Sequence, residues 1–373
     1  MLPVAQTDEN DFKMKNFISL IFCSFLLLAS CGKSVNHNVC VQGTIEGGIN
    51  DGENIYLMLP DENSVARVVA STTVVDGRFV LAGNINLPAV CNVVTATPDG
   101  NVARKINFIA EGGDVAIKVL PEYYRVSGTP LNDALQACRD TMEIAMQVYA
   151  RYYSKKAETP TLSQLGVKEA NDVMAVTSYR YREVLYRAIA SNIDNILAAH
   201  LIKEYMDIIE PSRGLQFIKG LSKEYVDNVL LYINSIYSAQ VASAVGTPYI
   251  NITMPDTNGV QQSLSSFVGK GKPVVLSVWV SSSKSAMEAQ AALSNMLDDV
   301  EVVSVSIDGD YNMWRSATAG LKGAHLNDLK GWGSPILSRY GIDKVPYYIL
   351  VDADGRISYR GTSFNDVCER VKR

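Results

Sequence analysis

Apolar positions along this chain change their spacing twice, and each change marks a different kind of structure. Between residues 39 and 126, short apolar and β-branched runs alternate with turn pairs such as Asp76-Gly77 and Asp99-Gly100. Short runs with turn signals between them are typical of antiparallel strands. The pattern predicts an antiparallel β-sandwich or barrel-like domain over 39–128. Its predicted strands are 39–45, 54–59, 66–75, 78–84, 89–96, 105–110 and 114–119.

From 129 to 244 the apolar spacing lengthens to about 3.6 residues, the repeat of an α-helix. One such stripe contains Ile193, Ile196, Leu197 and Leu201. Stripes of this kind are the ordinary packing faces of helices, so the pattern predicts a helical middle segment.

The last part, 245–373, alternates strands with helices. An apolar run from Val274 to Trp279 leads into Ser281–Ser283, and a helical pattern begins at Lys284. A strand, a tight turn and a helix in that order are typical of α/β domains. Further patterns predict a strand over 302–307 and helices over 284–297, 313–319, 334–340 and 364–371. The fold class is therefore a multidomain α and β chain whose C-terminal domain is α/β.

The segment from Gly271 to Ala286 resembles the active-site segment of the thioredoxin-like redoxins, which are thiol–disulfide oxidoreductases of bacterial envelopes. In that family a strand containing Trp leads into Cys-x-x-Cys. Aligned on Gly271, Lys272 and Trp279, the two cysteine positions hold Ser283 and Ala286 in this chain. The resemblance implies a thioredoxin-like fold over 245–373 with a degenerate motif.

The two replacements remove the chemistry of the motif. In Cys-x-x-Cys proteins the helix N-terminus stabilises a thiolate and lowers its pKa to about 7 or below. Ser283 does not ionise usefully at neutral pH, and Ala286 cannot form a disulfide. We therefore expect no catalytic residue at the usual site.

The resemblance also implies a binding groove. Val345-Pro346 matches the position at which thioredoxin folds hold a cis-proline beside the active-site turn. In relatives, this groove holds an extended segment of a partner protein by backbone hydrogen bonds. The groove residues are expected to be Trp279, Ser282, Ser283, Lys284, Ser285, Val345 and Pro346.

Two functions stay open at this point. The first is a non-catalytic module that binds a protein or peptide partner in the envelope. The alternative is a thiol–disulfide oxidoreductase or antioxidant redoxin that acts in envelope redox homeostasis through displaced thiols. Neither requires a cofactor or a metal. The formal net charge of -5 comes without a basic stripe, so we expect no nucleic-acid partner.

The beginning of the chain has the pattern of an export signal. A short apolar run, 17–28, follows Met14 and Lys15 and ends in Ala-Ser before Cys31. This pattern resembles the lipobox of bacterial lipoproteins, in which the cysteine is acylated. It predicts a signal peptide over 1–30, with translation starting at Met14, and a lipidated tether over 31–38. The expected location is the outer membrane, facing the periplasm.

The remaining cysteines and the N-terminal β domain carry little further chemistry. The pairing of Cys40, Cys91, Cys138 and Cys368 stays open, with free thiols favoured over disulfides. The sequence IAEGGDVAIKV, together with VSGTPLNDAL, resembles the end of a bacterial domain of unknown function that precedes redoxin domains. That resemblance implies no activity for residues 39–128.

Overall fold

A computed structural model describes most of the chain. The described residues are 37–47, 49, 51–60, 66–96, 102–158, 164–296 and 300–371. The predicted signal peptide and the predicted lipid attachment site, Cys31, lie outside them. The chain forms two compact units: one contains the described residues up to Ile208 with Gly220–Asp227, and the other contains Ile209–Lys219 and Asn228 onwards. The helical middle segment contributes to both units.

Unit 1 begins with eight strands in two sheets. The strands are β1 (Val39–Ile45), β2 (Asn54–Pro60), β3 (Ala66–Thr73), β4 (Arg78–Gly83), β5 (Ala89–Ala96), β6 (Val102–Ala110), β7 (Gly113–Val119) and β8 (Tyr124–Ser127). One sheet has the order β4-β1-β7-β8, and the other has the order β3-β2-β5-β6. Buried side chains from both sheets form a single apolar cluster that includes Val41, Leu57, Phe108 and Ile117.

The prediction of a purely antiparallel domain is wrong at one pairing. β1 runs parallel to β7, with Val41 opposite Val115. Parallel neighbours need a long connection between them, and here strands β2 to β6 lie in that connection. Apolar spacing within a strand is the same in either direction, so the pattern could not reveal this pairing. The pattern also missed β8, which is only four residues long.

Three helices complete unit 1: α1 (Pro130–Glu158), α2 (Gln164–Ala190) and α3 (Ile196–Glu204). The start of α1 is bound to strand β6 by a buried amide. Asn132 Oδ1 accepts a 2.9 Å hydrogen bond from the Ile109 amide, and its Nδ2 donates to the Ile109 carbonyl at 2.6 Å. Buried backbone groups at a strand edge need such partners, so Asn132 fixes where α1 begins.

A partly buried charge cluster joins α1 to α3. Arg139 Nη2 lies 3.2 and 3.1 Å from the two carboxylate oxygens of Glu204, and His200 Nε2 lies 2.8 Å from Glu204 Oε2. The guanidinium also lies over the ring of Tyr124, 5.5 Å from its centroid. Burial alone would raise the pKa of Glu204, but the contact with His200 and the charge of Arg139 lower this pKa to about 2.

Unit 2 contains the remaining elements. Its helices are α4 (Pro211–Gly220), α5 (Asn228–Ala242), α6 (Lys284–Ser294), α7 (Tyr311–Thr318), α8 (Pro335–Tyr340) and α9 (Phe364–Val371). The last residue of α4, Gly220, is assigned to unit 1. The strands of unit 2 are β9 (Thr253–Pro255), β10 (Gln261–Ser263), β11 (Val274–Trp279), β12 (Glu301–Ser306), β13 (Ala324–Leu326), β14 (Tyr347–Val351) and β15 (Ile357–Gly361). None of the helices in the described part of the chain is long and apolar enough to cross a membrane.

The centre of unit 2 is a five-stranded sheet with the order β13-β12-β11-β14-β15. β11, β12 and β13 are parallel, whereas β14 and β15 are antiparallel to their neighbours. All six residues of β11 are buried. Alternate residues of the sheet enter two separate apolar clusters, one on each face. This is the mixed α/β architecture predicted for 245–373.

Helix boundaries in unit 2 follow local capping. α7 begins two residues earlier than predicted because Asp310 accepts a 2.8 Å hydrogen bond from the Met313 amide. α6 ends at Ser294, three residues before the predicted end. α9 has the predicted bounds.

Candidate functional site

The predicted site begins where β11 ends. Residues Ser281–Ser283 form the turn between β11 and α6, and Ser283 is the N-cap of α6. The Ser283 hydroxyl accepts a 3.3 Å hydrogen bond from the Ala286 amide. It also lies 3.2 Å from the Ser285 hydroxyl. Serine at this position therefore satisfies one of the free N–H groups at the start of the helix.

Ala286 differs from Ser283 in its surroundings. Its methyl group is fully buried, whereas Ser283 is half-buried and Ser282, Lys284 and Ser285 are exposed. The Lys284 side chain is 91% exposed, and its ammonium lies 4.0 Å from Glu288. The turn thus presents hydroxyls and one solvated lysine to solvent, and it contains no sulfur.

A buried carboxylate supports this turn from below. Asp308 lies two residues after the end of β12 and is only 5% exposed. Its carboxylate accepts hydrogen bonds from the Ser281 amide at 3.1 and 3.2 Å and from the Ser281 hydroxyl at 2.8 Å. The Ser306 hydroxyl donates to it at 2.6 Å. A carboxylate this buried needs such donors, and here they fix the backbone of the turn.

Asn327 completes the network from the end of β13. Its Nδ2 donates to the Asp308 carbonyl at 3.1 Å and to the Ser306 hydroxyl at 3.2 Å. Polar groups at the ends of three parallel strands therefore meet at the same edge of the sheet. Asp308 and Asn327 were absent from the predicted site. Their signal in the sequence is a position just after a strand, since Asp308 lies two residues after β12 and Asn327 directly follows β13.

The Val345–Pro346 peptide bond is cis, as predicted. β14 starts at Tyr347, which lies opposite Val278 near the end of β11. Because the two strands are antiparallel, the residues before Tyr347 lie beside the residues after Val278. Both Val345 and Pro346 are half-buried. The structure therefore brings Ser282, Ser283, Lys284, Ser285, Val345 and Pro346 to one edge of the sheet.

The structure corrects the prediction that the Trp279 side chain lines the groove. Its side chain is fully buried, and its Nε1 donates a 2.7 Å hydrogen bond to the Ser304 hydroxyl. The indole points into the face of the sheet that α6 covers, where Gln290 Nε2 also donates to the Ser277 hydroxyl at 2.7 Å. Trp279 thus packs beneath α6 and cannot line a groove.

The cysteines in the described part of the chain are free thiols: Cys40, Cys91, Cys138 and Cys368. Burial raises the pKa of Cys91 to about 12 and, with smaller effects of neighbouring charges, the pKa of Cys138 to about 11. Neither thiol is therefore ionised near neutral pH. Among the described residues, no three His, Cys, Asp or Glu side chains converge as metal ligands would.

Comparisons with known proteins cover the two parts of the chain separately. Residues 39–135 match a family described as Domain of unknown function (DUF4369). This match agrees with the resemblance seen at the N-terminal part. No curated protein sequence matches the chain.

The solved structures that the chain resembles include thioredoxin-like proteins. A thiol–disulfide oxidoreductase from Bacteroides fragilis is 22% identical over 34% of this chain and 98% of its own, with a TM-score of 0.31. The thioredoxin domain of a thiol–disulfide oxidoreductase from Bacteroides vulgatus is 26% identical over 34% and 98%, with a TM-score of 0.30. A thioredoxin-like protein from Bacteroides caccae is 14% identical over 57% and 86%, with a TM-score of 0.41.

Proposed function

We propose that this chain is a thioredoxin-like protein that binds an extended segment of another protein and does not exchange disulfides. The observation that supports this most directly is the turn after β11. Ser283 caps α6 with its hydroxyl, and Ala286 is buried, at the two positions where the resemblance implies cysteines. The turn has kept its helix-capping role and carries no thiol.

The number of thiols in unit 2 supports the same conclusion. Dithiol exchange requires one thiolate to attack a substrate disulfide and a second thiol to resolve the mixed disulfide. The sequence of this unit contains one cysteine, Cys368, on α9. A single thiol could form a mixed disulfide but could not complete the reaction within this unit.

The binding mode that we propose uses the backbone beside Pro346. A partner in extended conformation would lie along the sheet edge between the Ser281–Ser285 turn and Val345-Pro346. Main-chain hydrogen bonds provide affinity in this mode, and side-chain contacts provide specificity. Asp308 supports it by fixing Ser281, so one wall of the groove is formed before the partner arrives.

The first experiment separates binding from catalysis. Purified chain should not accelerate the reduction of insulin by dithiothreitol above the uncatalysed rate. The double variant Ser283→Cys, Ala286→Cys should gain measurable activity, because it restores two sulfurs to the start of a helix. Activity in the wild-type chain that is lost in Cys368→Ser would overturn the proposal in favour of the oxidoreductase.

The second experiment tests binding itself. The full chain would be used to select ligands from a display library of short random peptides, and the selected peptides would be measured by fluorescence anisotropy. Ser282→Trp adds bulk at an exposed position of the turn and should weaken binding about tenfold or more, which corresponds to about 1.4 kcal/mol. The proposed site would be contradicted if no peptide is selected, or if Ser282→Trp leaves the affinity of the selected peptides unchanged.

We further propose that Cys31 is acylated and that the protein is anchored in the outer membrane facing the periplasm. The support is the order of a charged start, a short apolar run and a small-residue site before Cys31. Intact mass of membrane-extracted protein should show acylation at Cys31 and loss of the preceding residues. Cys31→Ser should abolish the added mass and release the protein from membranes.

A further inference from the structure

A loop at the same sheet edge displays two large apolar side chains. The loop, 327–333, follows β13, which is parallel to β12 and therefore ends at the same edge as β12 and β11. A Cβ atom added to Gly331 would stand 3.9 Å from the Ile307 carbonyl oxygen. The Ile307 amide in turn donates a 2.8 Å hydrogen bond to the Trp279 carbonyl, directly before the turn. The loop thus lies against the segment that supports the proposed groove.

Trp332 and Leu329 are the exposed large apolar residues of this loop. Trp332 is 62% exposed, whereas Trp279 and Trp314 of the same unit are 0% and 2% exposed. Leu329 is 42% exposed. Its φ of 57° lies in the left-handed region, which is unfavourable for a non-glycine residue. Strain of this kind persists where the surroundings enforce it, and it occurs often at ligand-binding loops.

Hydrogen bonds around Leu329 hold its backbone in this left-handed conformation. Asn327 Oδ1 accepts a 2.6 Å hydrogen bond from the Leu329 amide. Asp328 accepts from the Lys330 amide at 3.2 Å and from the Ser334 hydroxyl at 3.0 Å. Asn327 is itself 1% exposed and is tied to Asp308. The loop is therefore held in one shape that keeps both apolar side chains in water.

Charges beside the loop indicate the chemistry of a ligand. The carboxylates of Asp308, Asp310 and Asp328 all accept hydrogen bonds from the chain itself. Lys330 is exposed, and its ammonium makes no ion pair within the described ranges. Lys330 is thus the cation of this loop that an acidic side chain of a ligand would meet, and Asp328 beside it is held by the Lys330 amide and the Ser334 hydroxyl.

We propose that Leu329, Lys330 and Trp332 are the specificity-determining part of the peptide site. The bound segment carries a large apolar or aromatic side chain that packs on Leu329 and Trp332, and an acidic residue beside it that pairs with Lys330. This inference rests on the proposed function, because the backbone of the same segment occupies the groove beside Pro346. Aromatic anchors contribute strongly to binding when a partner covers them.

The experiment uses the peptides selected on the full chain. They should share an aromatic or large apolar residue next to Asp or Glu. Trp332→Ala should weaken their binding about tenfold or more, and Lys330→Glu should weaken it and remove most of its dependence on salt concentration. Tyr232→Ala is the matched control, since Tyr232 is 56% exposed on α5 of the same unit and should leave affinity unchanged.

The outcomes separate this inference from the proposed function. Peptides that respond to Ser282→Trp but bind Trp332→Ala with wild-type affinity would overturn the inference and leave the groove in place. Selected peptides without acidic residues, or with affinities that Lys330→Glu does not change, would overturn the role of Lys330. If no peptide is selected, both proposals fail. Circular dichroism of each variant shows whether it is folded. If one is not, Trp332→Gln replaces Trp332→Ala and Lys330→Gln replaces Lys330→Glu, and each should weaken peptide binding in the same direction.

Discussion

Each unit contains a carboxylate that is shielded from solvent, partly in unit 1 and almost completely in unit 2, and the two are stabilised in different ways. In unit 1, Glu204 is paired with the guanidinium of Arg139 and lies against His200. In unit 2, Asp308 has no cationic partner within the described ranges and is stabilised by two hydroxyls and one backbone amide. A buried ion pair holds two helices together, whereas a carboxylate bound by hydroxyls and an amide fixes the shape of a turn. The first arrangement serves stability, and the second fixes the turn that the proposed binding site uses.

The largest expected effect comes from breaking the charge pair. Glu204→Gln leaves the mostly buried Arg139 guanidinium without its carboxylate. Loss of one partner from a fully buried pair typically costs about 3–5 kcal/mol, and because the Glu204 side chain is 25% exposed we expect about 3 kcal/mol here. Urea unfolding would measure this loss. Glu46→Gln is the control, because Glu46 pairs with Lys118 at the surface and such pairs contribute about 0–1 kcal/mol. Equal losses of unfolding free energy in the two variants would show that the Arg139–Glu204 pair stabilises the fold no more than a surface pair does.

The same pair predicts a pH dependence. The pKa of Glu204 is about 2 in the folded chain and 4.5 ordinarily. A lowered folded pKa means that this stabilisation is fully present above pH 4.5 and is lost as the pH falls from 4.5 towards 2. By linkage the loss is at most about 3 kcal/mol, and water around the partly exposed carboxylate reduces it. Unfolding free energies of wild type and Glu204→Gln measured across this window should converge; parallel curves would contradict the assignment.

The next effect concerns the turn. Asp308→Ala leaves the Ser281 amide, the Ser281 hydroxyl and the Ser306 hydroxyl without an acceptor, which should cost about 2–3 kcal/mol. Peptide affinity should also fall, because the turn loses the group that fixes it. Asp308→Asn keeps one acceptor oxygen and should lose less of both. A variant that is destabilised yet binds peptides with unchanged affinity would show that Asp308 has no positioning role.

Asp308 also marks the limit of what the sequence could predict. Residues 39–45, 89–96 and 364–371 have the predicted bounds because their apolar spacing is regular over the whole element. The cis bond before Pro346 was predicted because it follows from one residue type at one aligned position. Ser281, Asp308 and Asn327 meet only when three strands align side by side, and no local pattern records that alignment.

A smaller effect distinguishes the buried from the exposed tryptophan. Trp279→Phe removes the 2.7 Å hydrogen bond to Ser304 and leaves a buried hydroxyl without its donor. The expected loss is about 1–2 kcal/mol. Trp332→Phe should change the unfolding free energy by less than about 0.5 kcal/mol, since that side chain is 62% exposed. The reverse order would mean that Trp332 is packed and cannot meet a ligand.

The smallest effect tests what serine does in place of cysteine. Ser283→Ala removes the N-cap acceptor of the Ala286 amide and should cost about 0.5–1 kcal/mol, the low end of measured caps because the contact is 3.3 Å long. Ser282→Ala is the control, because Ser282 is exposed and outside the cap. Ser283→Asp should retain the stability, since aspartate caps equally well and its charge favours the helix N-terminus. If Ser283→Ala and Ser282→Ala are indistinguishable by urea unfolding, the serine has no capping role and its presence says nothing about why the thiol is absent.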